Sequence, residues 1–98
     1  MYVTIWRFIV KPEHQAEFER EYGPDGAWAA FFREGDGYVR TELFRSTTTP
    51  NEYVTFDWWH SEAAYEAFRA AHRERYETID GGFERLTSHE ERVGSFET

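Results

Sequence analysis

The chain has 98 residues, enough for one modest core and too few for two, so a single domain over residues 1–98 is expected. Its net charge of -8, with no cluster of Lys or Arg, excludes nucleic acid and anionic membrane surfaces as partners. The absence of cysteine removes disulfides, thiolate metal sites and thiol nucleophiles together, and agrees with a reducing compartment.

Aromatic residues are abundant, with four Trp, six Tyr and nine Phe, and they concentrate in a few segments. The run YVTIWRFIV, residues 2–10, is nearly continuous β-branched and aromatic sequence, broken only by Thr4 and Arg7. It predicts a central strand covered on both faces. Because this run opens the chain without the charged start and long apolar stretch of a signal peptide, a cytoplasmic location is expected. Lys11-Pro12-Glu13 ends the strand and starts a helix carrying Phe18 and Tyr22 one turn apart. Gly23-Pro24-Asp25-Gly26 breaks that helix, and AWAAFFRE continues it until Gly35-Asp36-Gly37, so the first helical region reads as a bent pair.

Two further strands, Tyr38 to Ser46 and Glu52 to His60, form a hairpin across TTTPNE. Ser61 then caps a second helix expected to run to about Thr78. Ala64, Tyr65, Phe68, Ala71 and His72 form its apolar stripe, with Glu66, Arg69, Arg73 and Glu74 outside. Gly81-Gly82 is expected to loosen the chain, Phe83 and Leu86 to anchor a turn, and His89 to Phe96 to form a polar edge strand.

The order is β-α-β-β-α-β, an α+β ferredoxin-like arrangement with an antiparallel four-stranded sheet and helices on one face. The other face should be polar, yet both parities of the first and third strands are apolar: Tyr2, Trp6, Phe8 and Val10 against Val3, Ile5 and Ile9, and Tyr53 and Trp59 against Val54, Phe56 and Trp58. Each such side chain contributes roughly 1.5 to 3 kcal/mol when buried, so leaving a whole face in water forfeits a margin comparable to the stability of a small domain. A homodimer is therefore expected.

The segments YGPDGAW (22–28), GYVRTELFR (37–45) and WWHSEAAYEAFRAAH (58–72) resemble the antibiotic biosynthesis monooxygenase-like family of dimeric α/β-barrel proteins, and the similarity extends over almost the whole chain. The resemblance implies two four-stranded sheets meeting as a barrel, helices outside, and a pocket between each sheet and its own helices. It does not choose an activity, since members include oxygenases that oxidise anthrone-type rings without metal or flavin, enzymes that degrade haem, and many proteins with no known activity. The haem-degrading pattern of Asn in the first strand, Trp in the second helix and a following His is met only at His72, with Trp6 and Phe68 at the other two places.

His72 is a candidate acid/base group at the edge of the helical stripe, or a half-buried His bonded to a neighbour. Arg7 and Asp57 are charges inside apolar strands, expected to form a cross-strand or inter-subunit ion pair or the polar end of a pocket, with Arg40 and Glu42 as competing partners. Trp6, Trp28, Phe31, Trp58, Trp59 and Phe68 supply candidate walls, and Tyr38, Tyr65 and Tyr76 candidate hydroxyls for a small aromatic ligand. His14, His60 and His89 lack the paired spacing of a metal site, and no nucleotide-binding or hydrolase motif occurs, so no metal or other cofactor is expected. Three functions fit this reading: a cofactor-independent monooxygenase acting on an anthrone- or quinol-like molecule, a non-catalytic small-molecule-binding dimer, and a cyclase or isomerase on the same barrel.

Overall fold

A computed structural model describes residues 1–98. Its first strand, β1 (Tyr2–Val10), lies inside the sheet as its β-branched and aromatic composition requires. A 3-10 turn at Pro12–His14 leads into α1 (Gln15–Tyr22). The chain then doubles back through Gly26, where any Cβ would collide with the carbonyl oxygens of Arg20 and Glu21, into α2 (Ala27–Phe32). The bent pair expected from the sequence is thus present. Gly37, at φ +89°, delivers the chain into β2 (Tyr38–Arg45), and a Cβ there would stand 2.8 Å from that of Ala64.

The hairpin partner β3 (Glu52–Trp59) alternates strictly between buried and half-buried positions. Ser61 Oγ accepts the Ala64 amide at 3.1 Å and starts α3 (Glu62–Ala71). Here the structure departs from the single long helix expected to Thr78. The helix breaks at His72 (φ -124°, ψ 29°), and a separate α4 (Arg73–Phe83) follows. Gly81 and Gly82, expected to loosen the chain, lie inside α4. A 3-10 turn at Glu84–Leu86 buries Leu86 and leads to β4 (Thr87–Glu97).

The sheet is antiparallel in the order β2-β3-β1-β4, the ferredoxin-like α+β arrangement expected, with β4 at an edge. Helices cover one face. Between them and the sheet lies an aromatic core in which Phe18 stacks on Tyr22 at 4.2 Å, Phe31 meets Phe68 edge-on at 4.8 Å and Trp59 packs on Phe68 at 5.3 Å. Ile5, Val54, Phe56 and Trp58 sit half-buried on the opposite face, and Phe44 and Phe96 beside them are about half exposed. No helix is long and apolar enough to cross a membrane.

Candidate active site

Strand register decides which charges reach the interior. Tyr2 pairs with Trp59, so Thr4 stands opposite Asp57 and Arg7 opposite Val54. Asp57 therefore shares the helix-facing side with Tyr53, Thr55 and Trp59, while Arg7 lies on the open side with Ile5 and Ile9. The cross-strand Arg7–Asp57 pair does not form. Arg7 instead binds Glu52 at 2.5 Å and Glu91 at 3.0 Å. The competing Arg40 and Glu42 meet each other at 3.6 Å, and Glu42 accepts the Trp58 indole N–H at 2.6 Å.

Asp57 forms the floor of a cavity of about 460 Å³ between sheet and helices. Thr41, its cross-strand neighbour, donates to Asp57 Oδ1 at 2.6 Å, and the Tyr38 hydroxyl lies 2.7 Å from Thr41 Oγ1. Since Thr41 has one proton and gives it to the carboxylate, Tyr38 is the donor in the second bond. This chain fixes Oδ1 and leaves Oδ2 without a partner. Burial pushes the Asp57 carboxyl up to about 6, which the single hydrogen bond from Thr41 offsets only in part. The cavity thus holds a carboxylate poised to exchange protons near neutral pH.

Trp6, Phe8, Tyr22, Trp28 and Phe32 wall this space from β1 and from the α1–α2 pair. Tyr65 and Tyr76 close it from α3 and α4, and burial holds the Tyr22 and Tyr76 phenols well above the ordinary range. Arg69 also reaches it. The guanidinium donates to the Tyr65 hydroxyl at 2.8 Å and lies 3.9 Å above the Tyr76 ring, without a carboxylate within ion-pair distance. The sequence pattern places Arg69 outside, but its side chain is half-buried and runs along the cavity edge. Its position one turn after Tyr65 was the signal available for it.

Glu90 and Arg92 arrive by a different device. Ile5 pairs with Gly94 and Trp6 with Arg92, so Val93 is the extra residue of a β-bulge. That one-residue shift sends Arg92 and Glu90 to the cavity face, beside Trp6 and Phe8, whereas Phe96 and Gly94 face the open side with Val3 and Ile5. Gly94 beside Val93, at φ +158° inside the strand, is its one local mark.

Of the residues singled out from sequence, the structure brings Asp57, Trp6, Trp28, Tyr65 and Tyr76 together around the cavity. Phe31, Trp59 and Phe68 are core beneath the helices, and Trp58 lies on the open face. His72 stands at the α3–α4 break, packed against Phe68 at 4.6 Å and Phe31 at 5.9 Å, outside the cavity lining.

The fold and its interior thus define a ferredoxin-like α+β domain with an aromatic cavity and a buried carboxylate between sheet and helices. The antibiotic biosynthesis monooxygenase family matches residues 1–75, and the chain belongs to that family. A solved structure of SnoaB, a cofactor-independent oxygenase from Streptomyces nogalater, is 26% identical over 99% of this chain and 91% of that one, with a TM-score of 0.70. A variant of the same enzyme gives 25% identity over the same shares and a TM-score of 0.73. A conserved protein from Methanosarcina mazei shares the fold at 13% identity and a TM-score of 0.71, over 99% of this chain and 91% of that one. Among curated proteins, none matches the chain in sequence.

Proposed function

We propose that the chain is a cofactor-independent monooxygenase that oxidises an anthrone- or quinol-like aromatic molecule in the sheet–helix cavity, with Asp57 as the general base. The observation that carries this reading is the buried, half-satisfied Asp57 carboxylate on the floor of an aromatic-walled space. Membership of the family and the similarity to SnoaB support the oxygenase class.

Asp57 Oδ2 takes a proton from an acidic ring CH₂, and the electron pair spreads into the conjugated carbonyl as an enolate. This anion gives one electron to O₂, and the resulting radical and superoxide join at the same carbon. Protonation gives a hydroperoxide, which loses water to leave C=O, so CH₂ and O₂ become C=O and H₂O. Thr41 and Tyr38 hold the base in place, while Arg69, without an acidic partner, provides positive charge along the cavity wall for the developing enolate. Aromatic walls exclude water, which strengthens both interactions.

The open sheet face fits this reading as the seam of a homodimer. Its exposed Phe44 and Phe96 and the half-buried Phe56 and Trp58 form an apolar surface that a second copy covers, leaving each cavity within its own subunit.

Oxygen uptake with anthrone as substrate tests the function. Purified protein is expected to consume one O₂ per ring oxidised and to stop under nitrogen. Turnover that persists under nitrogen would identify an isomerase or cyclase instead, and anthrone binding without any turnover would identify a binding protein.

A further inference from the structure

We infer that Asp57 keeps the proton it takes from the ligand and gives it back inside the same cavity, serving as acid after it has served as base. In the oxygen reaction it is then the source of the proton that turns the peroxide anion into the hydroperoxide. On a β,γ-unsaturated cyclic ketone, which offers a second carbon on the same face, it makes the chain an isomerase as well. The inference rests on Asp57 being the base of the proposed reaction, and not on the oxygen step.

The direction of the hydrogen bonds is the first reason. Tyr38 donates to Thr41 at 2.7 Å and Thr41 donates to Asp57 Oδ1 at 2.6 Å, so both links point at the carboxylate. Such a chain steadies negative charge but takes no proton away. Carrying one outward needs both hydroxyls to reverse, and the reversed chain ends on Tyr38, whose hydroxyl has no partner beyond Thr41. Burial holds the Tyr38 phenol above its ordinary range, so it is no acid for the carboxylate either.

Isolation is the second reason. Asp57 is 8% exposed, and burial and the Thr41 hydrogen bond account for the shift of its carboxyl. Thr4, opposite it on β1, makes no hydrogen bond to it. Glu66, Asp80, Glu90, Arg69 and Arg92 line the same cavity, yet none of them shifts it. Tyr76 feels the Asp57 charge, but burial holds that phenol well above its ordinary range. His72 lies outside the lining. No second base stands beside Asp57 to receive its proton, and an aromatic ligand that fills the space displaces the water that otherwise could.

Oδ2 is the open oxygen of the carboxylate and meets the ligand from the sheet, while Tyr65 and Arg69 meet it from α3. On a β,γ-enone, Oδ2 takes a proton from the carbon between C=O and C=C, and the electron pair spreads into a dienolate. The Tyr65 hydroxyl donates to the dienolate oxygen, its own proton being free because Arg69 is the donor in the bond between them. The carboxylic acid then returns the proton to the far carbon of the former double bond, and C=C moves into conjugation with C=O. No atom is gained or lost and no oxidant is used.

The test uses a fused bicyclic β,γ-enone, an octalone deuterated at the carbon between its carbonyl and its double bond, with the purified protein under nitrogen at pH 8. Isomerisation is expected, with most of the deuterium carried to the far carbon, read by NMR, and Asp57→Asn is expected to slow it at least about 10²-fold. Product without deuterium at that carbon, or isomerisation that survives Asp57→Asn, overturns the inference. Dideuterated anthrone gives a second reading that does not depend on the octalone. Its loss of deuterium to water under nitrogen is expected to be at least about threefold slower than its oxidation in air, because a retained proton returns to carbon. An octalone left unchanged overturns the isomerase activity, and deuterium loss as fast as oxidation overturns the retained proton itself. In either case, oxygen uptake with anthrone that still depends on Asp57 leaves the oxygenase reading standing, whereas uptake independent of Asp57 removes the base from that reading and this inference with it.

Discussion

Asp57 is costly to the fold in the form that its proposed role needs. Its carboxyl titrates near 6 in the folded chain, against an ordinary value of 3.8, so the folded state holds the proton more tightly than the unfolded chain does. The stability that depends on it is fully present below about pH 4 and is lost as pH rises through about 6, amounting to about 3 kcal/mol above that range. Asp57→Asn removes this cost while keeping an acceptor for the Thr41 hydroxyl. Thermal unfolding is therefore expected to show the variant several degrees more stable than the parent at pH 8, with the gap closing toward pH 4. A variant less stable at pH 8 would mean that the carboxylate is better satisfied than its one hydrogen bond indicates. In the sequence, Asp57 stood out as a charge in an apolar strand, but its supposed partner Arg7 did not survive the register. Pairing of Tyr2 with Trp59 puts the two on opposite faces, and register cannot be read from either strand alone.

Elements divide along the same line between local and long-range causes. Strand positions, the bent first helical region and the Ser61 cap follow from local signals, namely β-branched runs, a Gly-Pro-Asp-Gly break and a side-chain acceptor at the helix start. The break at His72 does not, and the bulge at Val93 is marked only by the adjoining Gly94. The register shift at the bulge brings Glu90 and Arg92 to the cavity. Helix α4 shows how packing overrides propensity, since Gly81 and Gly82 are helical despite the entropy they lose. A Cβ at either position would meet nothing within 4 Å. Gly81→Ala and Gly82→Ala are each expected to stabilise the chain by about 1 kcal/mol, read as a higher unfolding midpoint by circular dichroism. Destabilisation by either would show that α4 needs freedom at that point.

At the scale of the whole molecule, the two faces of the sheet have separate roles. The helix face holds the cavity, and the open face carries apolar surface that was legible in the sequence as alternation without a polar parity. Phe56→Arg places a charge at the middle of that open face and leaves the cavity lining untouched. Sedimentation is expected to find the parent as a dimer at micromolar concentration and the variant as a folded monomer. A monomeric parent would remove the second copy from the proposal. The aromatic supply that made a ligand pocket plausible from sequence divides in the same way, with Trp6, Trp28, Tyr65 and Tyr76 at the cavity and Phe31, Trp59 and Phe68 in the core, a partition that only the packed helices decide. The role of Asp57 as base is read from the pH dependence of oxygen-coupled turnover of anthrone by the parent and by Asp57→Asn. A base with a carboxyl near 6 should give activity that rises to a plateau with a midpoint close to that pH, and loss of the base should lower turnover about 10²- to 10⁴-fold and remove the midpoint. Unchanged turnover in Asp57→Asn, with the same pH midpoint, would contradict it.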